Sequence, residues 1–262
     1  MSRRRVVVTG MGMLSPLGND VPSSWQGILA GRSGIGLIEH TDLSAFTTRF
    51  GGSVKGFNVE EYLAPKEARR LDLFIQYGLA ASFQAVRNAG LEVTDANRER
   101  IGVAMGSGIG GLTNIENSSR LLHDQGPGRI SPFFVPGSII NMISGFLSIH
   151  LGAQGPNYAI ATACTTATHC IGMAARNIAY DEADVMIAGG AEMAACGLGL
   201  AASVRRVRCR PAMTIRPVPV VRGTRAVMAS FCPTVPVRWF SKNSSTPRHV
   251  AQPSTPSWSV SA

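Results

Sequence analysis

Apolar strands that run into glycine, separated by helical patterns, constrain this chain more than any other feature. Residues 4–10, 100–105 and 183–190 are short apolar runs that end at or next to glycine, as buried strands often do. Between them, residues 66–89 and 165–180 have the length and apolar spacing of helices. Near-continuous apolar strands alternating with helices predict an α/β fold whose mostly parallel sheet is covered on both faces.

This regularity ends near residue 200. Residues 201–262 contain ten Lys or Arg, no Asp or Glu, and eight of the 15 prolines of the chain. The net charge of +9 lies in this tail, because residues 1–200 carry 15 basic and 16 acidic residues. A basic surplus can indicate a nucleic-acid partner, but the first 200 residues are near neutral. The composition of the tail predicts a separate segment without regular structure.

Cys164 is the strongest candidate for chemistry. It lies between a strand predicted for residues 158–163 and the helix predicted for residues 165–180. The unpaired N–H groups and the positive end of a helix stabilise a thiolate at this position. A sharp strand-to-helix turn also exposes a nucleophile to its substrate. From the residues alone, a buried structural cysteine is the alternative, and it is the commoner fate of a lone cysteine.

The remaining cysteines and histidines indicate no second site. The five cysteines match no zinc or paired-disulfide spacing, which predicts reduced thiols in the cytoplasm. We expect Cys170 and Cys196 to lie in the core. His169 follows Cys164 by five residues, so a helix turns it partly away, which favours a structural role over that of a catalytic base. No apolar run is long enough to predict a membrane span.

A glycine-rich stretch follows the second predicted strand. Gly106, Gly108 and Gly111 match the GxGxxG pattern of dinucleotide-binding loops. That interpretation requires an acidic residue at the end of another strand about 20 residues further on, whereas residues 120–124 have a helical pattern. A tight turn where backbones approach closely is therefore favoured.

Eight stretches match motifs of one known family, and they are residues 7–12, 15–18, 70–78, 106–111, 131–136, 155–156, 161–165 and 188–192. Over residues 3–200 the chain resembles the β-ketoacyl-acyl-carrier-protein synthases, and the type II elongating enzymes in particular. The resemblance implies a thiolase-like fold, of which residues 1–200 are the first half of an αβαβα layered duplication.

The resemblance also implies a reaction. Cys164 would accept an acyl chain from acyl-carrier protein (ACP), and malonyl-ACP would be decarboxylated and condensed with it, as in fatty acid elongation. By resemblance, Ile109 and Phe134 line the acyl pocket, and the backbone N–H of Cys164 supplies half of the oxyanion hole. No metal or organic cofactor is implied, because the substrate is carried on the phosphopantetheine of ACP. The intact family member is expected to be a cytoplasmic homodimer that binds neither nucleic acid nor membrane.

The family's catalytic histidines, its lysine and its second oxyanion N–H belong to a second half that residues 1–262 do not contain. The chain as written is therefore expected to be inactive in condensation. Three alternatives stay open: a non-catalytic partner subunit similar to condensing enzymes, a nucleic-acid binder that uses the basic tail, and a degradative thiolase. A cysteine at position 164 counts against the first alternative, and its sequence context resembles synthases rather than thiolases.

A shift of reading frame explains the tail. With suitable codons and one added G, residues 201–209 reread as GGFGAARAL, which continues the family pattern. Residues 227–243 similarly reread as RDGFVLSDGSGALVLEE. The alternative is a genuine basic interaction tail. We interpret residues 201–262 as an apparent frameshifted segment.

Overall fold

A mixed six-stranded β-sheet forms the centre of the molecule. The computed structural model describes residues 4–206 and 232–240. Its strands, including those of a separate two-stranded ribbon (β3 and β4), are β1 (Arg5–Val8), β2 (Gly12–Leu14), β3 (Gly36–Leu37), β4 (Phe50–Gly51), β5 (Ile101–Gly106), β6 (Asn157–Tyr158), β7 (Val185–Gly190) and β8 (Cys232–Phe240). The order across the sheet is β1, β8, β7, β5, β6, and β2 also pairs with β8. Strands β5, β6 and β7 are parallel, whereas β8 is antiparallel to its partners, so the mostly parallel sheet predicted from the sequence is wrong and the sheet is mixed.

Helices cover both faces of the sheet, as the sequence predicts. They are α1 (Val21–Leu29), α2 (Pro65–Ala68), α3 (Leu73–Ala89), α4 (Leu112–Gln125), α5 (Met142–Leu151), α6 (Thr166–Ala179) and α7 (Gly197–Arg206). Helices α3 and α5 pack on one face of the sheet and α6 packs on the other. Within residues 4–206 and 232–240, none of the helices combines the length and apolar character needed to cross a bilayer.

The two helix layers explain why the central strands are apolar at nearly every position. Side chains alternate across a sheet, so Val103 and Met105 of β5 pack among the residues of α3 and α5. Ala104 faces the other way and packs with Cys170 and Ala174 of α6. All five residues are fully buried. Small side chains on this second face allow α6 to lie close to the sheet.

The long helix predicted for residues 66–89 is two helices, because the chain turns at Asp72. The backbone of Asp72 is extended, and its carboxylate accepts the N–H of Phe74, so that α3 begins anew there. The N–H of Asp72 donates to Gly137 O at 3.1 Å instead of continuing a helix. At the other end, Gly90 takes a left-handed φ of +56° and ends α3 where the sequence predicts.

The structure differs from the predicted unstructured tail at two places. Helix α7 continues to Arg206, and β8 pairs with β7 on one side and with β1 and β2 on the other. The alternating valines and the tryptophan of residues 235–239 favour a strand, but Pro233 and Pro236 argue against a central one and conceal the signal. The rest of the predicted tail, residues 207–231 and 241–262, lies outside the described residues.

Candidate active site

Loops that leave the carboxyl ends of β5, β6 and β7 meet at one edge of the sheet. The N–H of Ala191, just after β7, donates to Gly106 O at the end of β5 at 3.0 Å. The loops pack so closely that a Cβ on Gly106 would lie 2.1 Å from Ile160 O in the loop after β6. This close approach confirms the tight-turn interpretation of the glycines. After α4 the chain enters a 3₁₀ turn over Pro127–Arg129, where a dinucleotide site needs a second strand.

Cys164 is exposed on a turn directly before α6. The strand before it is shorter than predicted, since β6 ends at Tyr158, and a 3₁₀ turn over Ala163–Thr165 leads into the helix. Ala163 adopts a left-handed φ of +52°, which is uncommon for a residue with a Cβ. The sharp turn before a helix N-terminus, predicted from the sequence, is confirmed.

Threonines and a histidine hold this turn. The N–H of Thr162 donates to Thr166 Oγ1 at 2.9 Å, and Thr165 Oγ1 donates to Thr162 O at 2.7 Å. The hydroxyl of Thr162 is hydrogen-bonded to His169 Nδ1 at 2.8 Å. His169 is exposed, and this bond gives it the supporting role that the sequence favours. The turn that presents Cys164 is therefore braced by polar side chains on both sides.

The structure places Ile109 and Phe134 in different surroundings. Ile109 lies in the glycine loop directly after Gly108, which packs against Ala163 of the Cys164 turn, and 51% of it is exposed. Phe134 is half-buried and lines a cavity of about 210 Å³ with Asp72 and Asn114, whose walls include neither Ile109 nor Cys164. The acyl-pocket role of these two residues stays a prediction.

Cys170 and Cys196 are core thiols, as the sequence predicts. Both are buried, Cys170 against the sheet and Cys196 in the segment after β7. Burial raises the pKa of both thiols and so disfavours their reactive thiolate form. Among the cysteines whose exposure the structure describes, Cys164 alone is exposed.

Glu192 is a polar residue of this edge that the sequence pattern did not single out as functional. It follows β7, and its Oε2 accepts the N–H groups of Gly108 and Ile109 at 2.8 and 2.9 Å. Burial raises the pKa of Glu192, although the facing N–H groups and the Ser107 hydroxyl lower it. A Glu two residues after the glycines that end β7 is the signal that could have identified it.

Asp72 is the second buried carboxylate near these loops. Besides capping α3, it accepts the N–H of Asn114 at 2.7 Å and so joins the first turns of α3 and α4. The Asn114 amide then donates to Ser138 Oγ at 2.7 Å. Burial raises the pKa of Asp72. This network fixes the helices that stand beside the glycine loop.

The β-ketoacyl synthase N-terminal domain is the family whose model matches this chain, over residues 3–210. The chain belongs to the β-ketoacyl synthase family. The match includes all three loops of the candidate site. It also covers Cys164, Ile109, Phe134 and Glu192.

Relatives of known name are similar over the same region. The chain is 62% identical over 201 residues to 3-oxoacyl-[acyl-carrier-protein] synthase 2 of Vibrio cholerae, covering 77% of this chain and 49% of that protein. It is 49% identical over 212 residues to the synthase of the same name from Coxiella burnetii, covering 80% of this chain and 51% of the relative. The chain therefore spans about half the length of the curated relatives it matches.

Solved structures show the same fold. A β-ketoacyl synthase from Burkholderia phymatum superimposes with a TM-score of 0.77 at 23% identity, covering 90% of this chain and 59% of that one. A second match is to a chain in the solved complex of a type II PKS acyl-carrier protein with its ketosynthase. The TM-score is 0.73 at 22% identity, covering 90% of this chain and 63% of the matched chain. These likenesses confirm the predicted thiolase-like ketosynthase fold.

Proposed function

We propose that this chain is the N-terminal half of an elongating β-ketoacyl-ACP synthase and that Cys164 is its acyl-accepting nucleophile. The observation that carries the proposal is the exposed Cys164 thiol on a braced turn at the N-terminus of α6, inside a domain of that family. Helix N-termini stabilise thiolates, and a thiolate is the form that attacks a thioester.

The nucleophile of the acyl-transfer step lies in this part of the protein. The Cys164 sulfur attacks the acyl carbonyl of acyl-ACP, a new C–S bond forms, and the bond to the phosphopantetheine sulfur breaks. The departing thiolate takes up the proton that Cys164 released. The backbone N–H of Cys164 is our candidate for one donor to the oxyanion of the intermediate. We propose ACP as partner and no resident metal or organic cofactor.

Condensation needs more than the described residues. Decarboxylation of malonyl-ACP builds negative charge on a carbonyl oxygen, which requires further donors. The family supplies them from a second half, and this chain covers about half of its relatives. We therefore propose that the 262-residue chain accepts an acyl group but does not condense it, and that the intact enzyme is a cytoplasmic homodimer.

A frameshift after residue 200 is the proposed origin of the tail. The family match ends at residue 210, close to the point where acidic residues disappear from the sequence. The rereading of residues 201–209 and 227–243 into family-like sequence supports this origin. Sequencing the coding DNA around codon 200 tests it. One base missing relative to the family frame is expected, and an intact frame with other codons would contradict it.

Acyl transfer is tested by incubating the chain with acyl-ACP and mapping the modified peptides by mass spectrometry. We expect the acyl mass on the peptide that contains Cys164 and none on the peptides of buried Cys170 and Cys196, which serve as controls within the same sample. Cys164→Ala should remove the modification. Equal labelling of the buried cysteines, or labelling that persists in Cys164→Ala, would show that the assignment is wrong.

A further inference from the structure

Gly108 lies between a carboxylate and the turn that carries Cys164. A Cβ on Gly108 would be 2.9 Å from Glu192 Oε2 and 3.1 Å from Ala163 Cα, both closer than ordinary contact distance. The peptide of Gly108 therefore touches the left-handed Ala163 on one side and Glu192 on the other. A displacement of Gly108 is transmitted directly to the residue that precedes Cys164.

Glu192 is the polar anchor of the loop that contains Gly108. The loop includes four glycines, Gly106, Gly108, Gly110 and Gly111, which give its backbone wide conformational freedom. Two N–H groups of the loop converge on the single atom Glu192 Oε2. Such a pair of charge-assisted hydrogen bonds selects one loop conformation out of many. Anchoring is therefore the contribution that this carboxylate makes.

The two oxygens of the Glu192 carboxylate have different surroundings. Oε1 is buried, and it makes no hydrogen bond within the part of the chain that the structure describes. A buried polar atom without a partner lowers stability. The two N–H groups bound at Oε2 are therefore the hydrogen bonds that hold this carboxylate in the described structure.

Ile109 is the second residue that this anchor holds. Its N–H is one of the two groups bound by Glu192, the residue is half exposed, and it directly follows Gly108, which lies against Ala163 of the Cys164 turn. We propose that Glu192 is a positioning residue: by holding the N–H groups of Gly108 and Ile109, it fixes the approach of an acyl chain to the Cys164 thiol. This proposal rests on the acyl-accepting role proposed above and extends it to a residue that does not itself react.

Alkylation kinetics of Cys164 test the proposal on the full 262-residue chain. Two probes are compared, iodoacetamide and an N-alkyl iodoacetamide with a long alkyl chain, and the Cys164 peptide is quantified by mass spectrometry. The readout is the ratio of the two rate constants, long over short. Unfolding would move this ratio to the intrinsic value of the two reagents, so only variants with a parent-like thermal transition are scored. Among these variants, a purely structural role leaves the ratio at the value of the parent chain. The assay needs no acyl transfer, so failure of the acyl-ACP experiment is seen separately.

Glu192→Ala should change the ratio about tenfold, the order of effect expected when a positioning contact is lost. Glu192→Gln keeps an oxygen that accepts both N–H groups and should stay within about twofold of the parent. Glu192→Asp keeps the charge but shortens the side chain, and it should resemble Glu192→Ala. If a thermal scan shows that the alanine variant is not folded, the aspartate variant is used in its place.

The matched control is Glu116→Ala. Oε2 of Glu116 also accepts a backbone N–H, that of Leu198 at 3.0 Å, but this bond joins α4 to α7 rather than holding the Cys164 turn. The control should leave the ratio unchanged. A parent-like ratio in both Glu192→Ala and Glu192→Asp would overturn the proposal, and so would an equal shift in Glu116→Ala.

Discussion

Glu192 Oε2 accepts the N–H of Gly108 at 2.8 Å, while the same glycine touches the backbone of Ala163 on its other side. The carboxyl ends of β5, β6 and β7 are thereby joined through a single peptide unit. The turn that presents Cys164 is set by contacts from two other strand ends as well as by its own sequence.

Gly108→Ala should disrupt this junction. The new methyl group would lie within 3.1 Å of both Glu192 Oε2 and Ala163 Cα, so the loop must shift. We expect a loss of about 1–3 kcal/mol of unfolding free energy, as for other overpacked sites, measured by chemical denaturation. Gly128→Ala is the control, because no heavy atom lies within 4 Å of the Cβ it would add. Equal effects of the two substitutions would contradict the geometry.

Gly172→Ala reports whether the outer face of α6 is covered. Gly172 is exposed within the helix, and a Cβ there would meet nothing within 4 Å. Alanine is favoured over glycine in a helix by about 1 kcal/mol, so the variant should be more stable by roughly that amount in thermal unfolding. A second half or a second copy packed tightly on this face would reverse the sign.

Asp184 should contribute stability that acid removes. The Arg100 guanidinium, which hydrogen-bonds Asp184, holds the pKa of that carboxyl below its usual 3.8 against the effect of burial, and Arg4 assists. Because the folded pKa is the lower one, the contribution is present above pH 3.8 and is lost as the pH falls through the folded pKa. This contribution to stability is modest, since the ion pair between Asp184 and Arg100 is partly exposed.

Asp184→Asn tests this dependence. The stability of the variant, measured by urea unfolding at stepped pH, should fall less steeply below about pH 4 than that of the parent chain. Asp95→Asn is the control, because Asp95 is highly exposed and pairs only with nearby Arg98 in the described structure. If the stability of Asp184→Asn falls at low pH as steeply as that of the parent chain, the ion pairs do not stabilise the fold.

Exposed apolar residues predict self-association of the isolated chain. Met173 on α6, Ile149 on α5 and Leu198 on α7 are 44%, 73% and 50% exposed. Exposed apolar area costs roughly 25 cal/mol per Å², whereas net stabilities are only about 5–15 kcal/mol. We expect light scattering to rise with concentration in the micromolar range. A monodisperse monomer with one cooperative thermal transition would contradict this expectation.

The central strands could be predicted from the sequence because a strand that is buried on both faces of the sheet is apolar at every position. The runs that became β5 and β7 are apolar at every position, and the glycines at their ends mark where they stop. The break between α2 and α3 was missed, since it depends on Asp72 bonding to Gly137, which is distant in sequence. Strand β8 was missed because it takes its partners from three other segments of chain.

The site was predicted only in part for the same physical reason. The turn at Cys164 is local, so a strand, a cysteine and a helix in succession were enough to locate it. The contact of Glu192 with Gly108 joins residues 84 positions apart and has no local signature. Phe134 was grouped with Ile109 by resemblance alone, and the structure places it in a cavity with Asp72 instead.

The central claim is that residues 1–200 encode the turn that presents the acyl-accepting Cys164, while condensation requires sequence that the proposed frameshift removed. The direct test measures β-ketoacyl-ACP formed from acyl-ACP and malonyl-ACP by two proteins: the 262-residue chain, and the chain with one G restored before codon 201 and the native downstream DNA. We predict no product from the first, turnover by the second, and loss of that turnover in Cys164→Ala of the restored protein. Comparable turnover by both proteins would contradict the account.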